Sequence, residues 1–220
     1  MNYRIYSLSE QAITLSFGEV IDDAINDKVL ASVSWIKENP FDGLKEVVPA
    51  FSSFTVFYDI LEINKKIKGQ SAYSYVKDYL EEIPFDSLKI NPSERNWVTI
   101  PVKYNGPDLN YVAEHCGLKT KDLIKRHTAG EYRVYMMGFL PGFAYLGGLD
   151  AQLSTPRKIS PELSIPAGSV GIAGQQTGVY PIESPGGWQI IGKTEIVLFD
   201  PAKRPMTLLK VGDYIKFEEV

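Results

Sequence analysis

Up to residue 104 the chain alternates two periods of hydrophobic spacing. Residues 3–8 and 12–17 carry the two-residue alternation of short strands, and the spacing then changes. Asp22 or Asp23 caps a helix that repeats Ile25, Val29, Val33 and Ile36 along one face and stops before Pro40. Residues 47–51 and 54–60 are β-branched and aromatic, and Ser52 and Ser53 separate them as the turn of a hairpin. A second helix follows, capped by Ser71, with Tyr75, Val76, Tyr79, Leu80 and Ile83 on its apolar face. Residues 97–104 return to a strand pattern. From residue 12 the order is strand, helix, strand, strand, helix, strand, the arrangement of a ferredoxin-like split βαβ domain.

Residues 83–96 are polar and interrupted by Pro84 and Pro92, which suits a linker. The expected boundary lies near residue 90, giving a domain over 1–90 and a second over 91–220. The second opens with two short helices between residues 107 and 130, the first closed by Gly117 and the second started by Thr120. From residue 131 the runs YRVYMM and EIVLFD recur between Gly and Pro turns. This half is therefore expected to be mostly β, as a barrel that protects its edges. The fold class is α+β.

Charge narrows the partners. With 23 Lys+Arg against 27 Asp+Glu the formal net charge is -4, so no global positive field draws nucleic acid or an acidic membrane. The helix pair around Gly117 could imitate a DNA-binding motif, but the basic footprint this requires is missing. One cysteine, Cys116, closes no internal disulfide, and its amphipathic surroundings favour packing over reactivity. No leader-like apolar core begins the chain and no run approaches the ~18 apolar residues of a membrane helix, so a cytoplasmic protein is expected.

Eleven of the 18 glycines fall between residues 138 and 192. Residues 187–194, GWQIIGKT, satisfy the phosphate-loop spacing G-x-x-x-x-G-K-T, yet SPGG precedes them and a strand-like run follows. A phosphate loop needs a strand before it and a helix after it. The crowded glycines read instead as turns that converge on a shared site. Concave sites combine apolar and aromatic walls with a few polar groups, and Pro141, Gly142, Phe143, Tyr145, Arg157, Gln175, Thr177, Tyr180, Ser184 and Trp188 supply both. Of the two histidines, His115 reads as a packing residue. His127 closes the second short helix, where it serves either the helix dipole when charged or acid–base chemistry. No nucleophile elbow and no clustered Cys/His set is present.

The runs RHTAGEYRVYMMGFLPGFAYLGGLD, STPRK, IPAGSVGIAGQQTGVYPIESPGGWQIIGKT, LFDP and LLKVGDYIKF resemble the allophanate hydrolase subunit 1/Kip inhibitor family, whose bacterial members include a component of an ATP-dependent 5-oxoprolinase. The resemblance is dense over residues 126–217; before that it is one of layout. It implies a ferredoxin-like first domain, a cyclophilin-like β-barrel second domain, and a hydrolase that opens 5-oxo-L-proline to L-glutamate. It also implies two partners, a C-type protein that is allophanate hydrolase subunit 2-like, together with an A-type protein. ATP with magnesium belongs to that assembly, with none implied for this chain alone. On this reading His127 and Arg157 are the catalytic candidates. Arg157 pairs with a carboxylate or phosphate, Gln175 and Thr177 donate to the lactam oxygen, and Trp188 walls the pocket. The family's usual run after Ile-Ile-Gly is Arg-Thr-Pro; here Lys193, Thr194 and Glu195 keep a positive charge and lose the arginine fork. The alternative within the family is a regulatory binding module, since one relative inhibits a sporulation histidine kinase. Allophanate metabolism is disfavoured, because no amidase signature and no biotin-linked region is fused here.

Overall fold

The first long helix begins where its capping residue stands. In the computed structural model, which describes residues 2–88 and 96–220, the Asp22 carboxylate accepts the N–H of Ile25 at 3.0 Å and starts α1 (Asp23–Glu38). Helical spacing then puts Val29, Val33 and Ile36 against the core. The other elements of this part are β1 (Arg4–Ser9), β2 (Ala12–Ser16), β3 (Leu44–Pro49), β4 (Ser53–Tyr58), α2 (Ile60–Lys66) and α3 (Ala72–Glu81). Ser71 caps α3 as its position predicts. The α2 helix is an addition: Asp59, at the end of the β-branched run, accepts the N–H groups of Leu61 and Glu62 and turns strand into helix.

The chain divides into two compact units, Met1–Glu94 and Arg95–Val220; the boundary expected near residue 90 lies outside the described residues. In the first unit the sheet order is β1-β2-β4-β3 with every pair antiparallel. Strands β2 and β3 therefore run parallel with β4 between them, and α1 makes the crossover of a split βαβ unit. The strand expected to complete that sheet, residues 97–104, does not join it. The free edge of β2 is taken by β1, whose two-residue connection closes at little entropic cost.

That strand, β5 (Trp97–Val102), belongs to the second unit and pairs in parallel with β13 (Tyr214–Glu219). Between them in sequence come α4 (Leu109–His115), α5 (Thr120–Ala129), β6 (Tyr132–Met137), β7 (Ala144–Gly147), β8 (Glu162–Ile165), β9 (Ser169–Ala173), β10 (Gln176–Val179), β11 (Ser184–Gly186) and β12 (Gln189–Lys193). Seven strands form one sheet in the order β12-β9-β10-β7-β6-β13-β5. The two edges meet. Lys103, just past β5, exchanges two backbone bonds of 2.9 Å with Lys193, and Gly106 and Asp108 donate to the carbonyls of Ile191 (3.1 Å) and Ile190 (2.9 Å). The result is a nearly closed barrel filled by alternate residues such as Val102, Val134, Leu146, Val170, Val179, Ile191 and Phe217, and capped by Leu109, Val112, Leu123 and Ile124. Strands β8 and β11 pair separately as a two-stranded ribbon.

The run EIVLFD, expected as a strand, is irregular apart from an isolated bridge between Phe199 and Thr207. Its alternation of exposed Glu195 and Val197 with buried Leu198 imitates a strand, but the Lys103–Lys193 seam has already used the edge of β12. The seam also depends on Gly106, where any Cβ would collide with the backbone of Ile190 and lie within 2.6 Å of the amide nitrogen of Gly192. Gly106→Ala is expected to lower stability by about 2–3 kcal/mol, the upper range for forced overpacking, as read by urea denaturation. Among the described residues no helix is long and apolar enough to cross a membrane.

Candidate functional site

The residues singled out in the sequence separate into two sets on opposite faces of the barrel wall. Along β10 the side chains alternate: Thr177 and Val179 point inward, while Gly178 and the following Tyr180 lie on the outer face. The outer face carries a cluster of rings. Phe143 lies 5.0 Å from Tyr145, 5.5 Å from Tyr180 and 5.4 Å from Trp188 between ring centroids, each pair edge to face. Ile165 from the ribbon, Ala173 and Ile190 complete it.

Two mid-strand glycines seat the indole. A Cβ on Gly178 would sit 3.1 Å from Trp188 Cζ3 and 3.4 Å from Phe143 Cζ, and one on Gly171 would sit 3.1 Å from Trp188 Cβ. Part of the glycine crowding is thus a bed for one tryptophan. Gly142 performs the other role, a turn: its φ is +81°, and the turn Gly138–Phe143 closes through Gly138 N–H to Phe143 O at 3.1 Å. Pro141 is exposed at that turn. Phe139, absent from the candidate residues, holds φ +69° and is 61% exposed with its ring edge-on to Phe143. The sequence does set it with Phe143 and Tyr145 around the Pro141–Gly142 turn; its left-handed backbone is what single-residue patterns do not show.

Of the rings expected as pocket walls, Phe143, Tyr180 and Trp188 are buried against one another, and Tyr145 is partly exposed. Arg157 is exposed on the adjoining segment, where its charge reaches the Tyr180 phenol. Burial raises the pKa of that phenol, while the backbone N–H of Trp188 and the guanidinium of Arg157 pull the other way. Ser184 is buried in β11 with its hydroxyl turned to Pro185 O, and Gln175 is exposed in the β9–β10 turn beside Gly174.

The inner set is sealed. His127 is fully buried, its Nδ1 2.7 Å from Tyr104 Oη and its Nε2 2.9 Å from Thr177 Oγ1. Thr177 gives its proton to Gly171 O at 3.0 Å, so it accepts from Nε2–H, and Nδ1 accepts from Tyr104. This chain of bonds assigns a neutral Nε2–H tautomer. Burial lowers the His127 pKa to about 3, which removes the charged helix-dipole role anticipated for it. It also places this imidazole inside the barrel with both ring nitrogens hydrogen-bonded. Thr177 is enclosed with it, its single proton donated to Gly171 O.

Most of the phosphate-loop spacing at 187–194 is the strand β12, and its backbone donors are turned to other partners. Ile190 N–H goes to the Asp108 carboxylate at 2.7 Å, Lys193 N–H to Lys103 O and Thr194 N–H to Gly168 O. These residues do not fit a phosphate cradle.

The second unit is thus a nearly closed barrel-like sheet with an aromatic cluster on its outer wall. Residues 3–209 match the family model described as Carboxyltransferase domain, subdomain C and D, and the chain belongs to that family. It is 47% identical to the 5-oxoprolinase B subunit of Bacillus subtilis (strain 168), over 100% of this chain and 94% of the relative. It is 40% identical to the 5-oxoprolinase B subunit of Escherichia coli O157:H7, over 97% of this chain and 94% of that one. Among solved structures, TTHA0988 superposes with a TM-score of 0.83 at 33% identity, over 96% of this chain but 40% of the longer one.

Proposed function

We propose that this chain is the B-type component of an ATP-dependent 5-oxoprolinase, acting with a C-type and an A-type partner protein to hydrolyse 5-oxo-L-proline to L-glutamate in the cytoplasm. One observation carries the reading: likeness to 5-oxoprolinase B subunits runs through the whole chain at 47% identity. Within the same reading the first unit is a ferredoxin-like sheet whose fourth strand comes from the N-terminus, and the second is a cyclophilin-like barrel.

A lactam amide is a poor electrophile, and ATP, held by the assembly, supplies the phosphoryl group that makes the carbonyl carbon reactive. This chain's part is recognition. Arg157 offers a planar two-pronged donor to the substrate carboxylate. Tyr145, the partly exposed ring, presents the apolar edge with Trp188 buried behind it, the turn at Pro141 and Gly142 fixes Phe143 beneath, and Gln175 is the amide donor still open to solvent. Tyr180 and Ser184 hold the backbone around Trp188 in shape.

The test is ATP-dependent glutamate release from 5-oxoproline by the chain mixed with its C- and A-type partners. Release that requires this chain supports the reading; none from the complete set sinks it and leaves the binding-module alternative. Arg157→Ala is expected to keep the fold and lower kcat/KM by about 10- to 100-fold, the range for losing a hydrogen bond to a charged group. Unchanged kinetics would place the carboxylate elsewhere.

A further inference from the structure

Arg157 is exposed, yet the backbone on either side of it is gripped. Pro156 O accepts from the Gln189 side-chain amide at 2.9 Å, and Lys158 N–H donates to Gly187 O at 2.7 Å. Both partners flank Trp188. The far side of the same segment is gripped by Asp108, whose N–H donates to Ile190 O at 2.9 Å and whose Oδ2 accepts Ile190 N–H at 2.7 Å. One ion pair ties the two grips together: Lys158 Nζ lies 2.7 Å from that same Asp108 Oδ2, with side chains only 17% and 16% exposed, and Glu162 is its second partner.

We infer that Lys158 and Asp108 form a positioning clamp that fixes the backbone carrying Arg157 to the segment around Trp188 and so sets substrate affinity; this rests on the substrate role read for Arg157 above. The clamp is a closed ring of contacts, from Lys158 to Gly187, through Trp188 to Ile190, to Asp108 and back to Lys158. Burying such a pair is a costly way to gain stability, because desolvation offsets most of the attraction, whereas removing one partner leaves a charge uncompensated. Its distinctive product is geometry. The segment carrying Arg157 has one place to lie, so the guanidinium loses less freedom when a carboxylate arrives. Burial opposes the charge on Lys158, but hydrogen bonds with Asp108 and Glu162 outweigh it and raise its pKa, so the ammonium stays charged at neutral pH.

Lys158→Met, assayed in the assembled system, is expected to raise KM for 5-oxoproline about tenfold with kcat within twofold. Amide exchange at Lys158 and Ile190 in the chain alone should quicken while the melting temperature stays within a few degrees, and Lys158→Arg should recover KM. Asp108→Asn keeps an acceptor for Ile190 N–H and removes the charge; it should repeat the KM effect and serves if Lys158→Met does not fold. An unchanged KM in both variants, with Arg157→Ala defective, overturns the clamp and leaves the Arg157 reading standing. Unchanged exchange at Lys158 and Ile190 overturns the clamp whatever the kinetics show. A silent Arg157→Ala beside quickened exchange in Lys158→Met overturns the substrate role that gives the clamp its purpose.

Discussion

His127→Ala is expected to destabilise the second unit by about 3–5 kcal/mol, because it opens a cavity among Phe217, Tyr132 and Tyr104 and takes the acceptor away from the part-buried Tyr104 hydroxyl, while Thr177 keeps its bond to Gly171 O. The same residue should govern the response to mild acid. Its pKa is about 3 in the folded chain and about 6.5 once unfolded, so between those values the unfolded state binds the extra proton. Stability is then full above about pH 6.5 and falls as the pH drops, by up to about 1.4 kcal/mol per unit, until the folded imidazole itself protonates near pH 3. Unfolding free energies from urea titrations at pH 7.5 and 5 should differ by about 2 kcal/mol in the parent. His127→Gln, which does not titrate, should flatten that slope whatever its absolute stability. Asp213 works in the opposite direction, since burial raises its pKa, and the carboxylates with lowered values, Asp59 and Asp150, contribute only at lower pH. A slope unchanged by His127→Gln would mean that the imidazole is not held neutral.

The same histidine shows where sequence reasoning stops. Its place at the end of α5 is local and legible, and so are the caps at Asp22 and Ser71, each set by residues within one helical turn. Its neutrality is decided by burial and its tautomer by Tyr104 and Thr177, 23 and 50 positions away, and neither stands out beside it in the chain. Strand identity is likewise legible for β2, β4 and β5, but strand partnership is not. The spacing of residues 97–104 is the same whether the strand lies beside β2 or beside β13, and only the packed core selects the second. The aromatic site is half visible. Phe143, Tyr145, Tyr180 and Trp188 all stand in the Gly/Pro-rich run, while the Lys158–Asp108 pair spans 50 residues and leaves no motif. Thr177 is misplaced by the sequence because residues 175–180 look like one loop, whereas its position in β10 sends alternate side chains to opposite faces.

Trp188→Ala is expected to cost about 3–5 kcal/mol, as for other large buried aromatics, and to do so within the second unit. The indole is 5% exposed and meets Phe143, Tyr145 and Tyr180 edge to face at 5.4, 6.4 and 6.4 Å. Those contacts add to the loss of buried area, and no neighbouring side chain can swing into the space because Gly171 and Gly178 form its floor. Amide exchange should therefore quicken in β9, β10 and β12 and stay unchanged in α1 and β4, which pack in the separate core of the first unit. The floor can be tested by coupling. In the parent, Gly178→Ala places a methyl 3.1 Å from the indole and 3.2 Å from Ala144 O, and should cost about 1–3 kcal/mol. In the Trp188→Ala background the indole contact is gone and only the carbonyl remains, so the same substitution should cost about 1 kcal/mol less, within the usual range for contacting pairs. Simple additivity would show that the glycines serve the strand rather than the tryptophan.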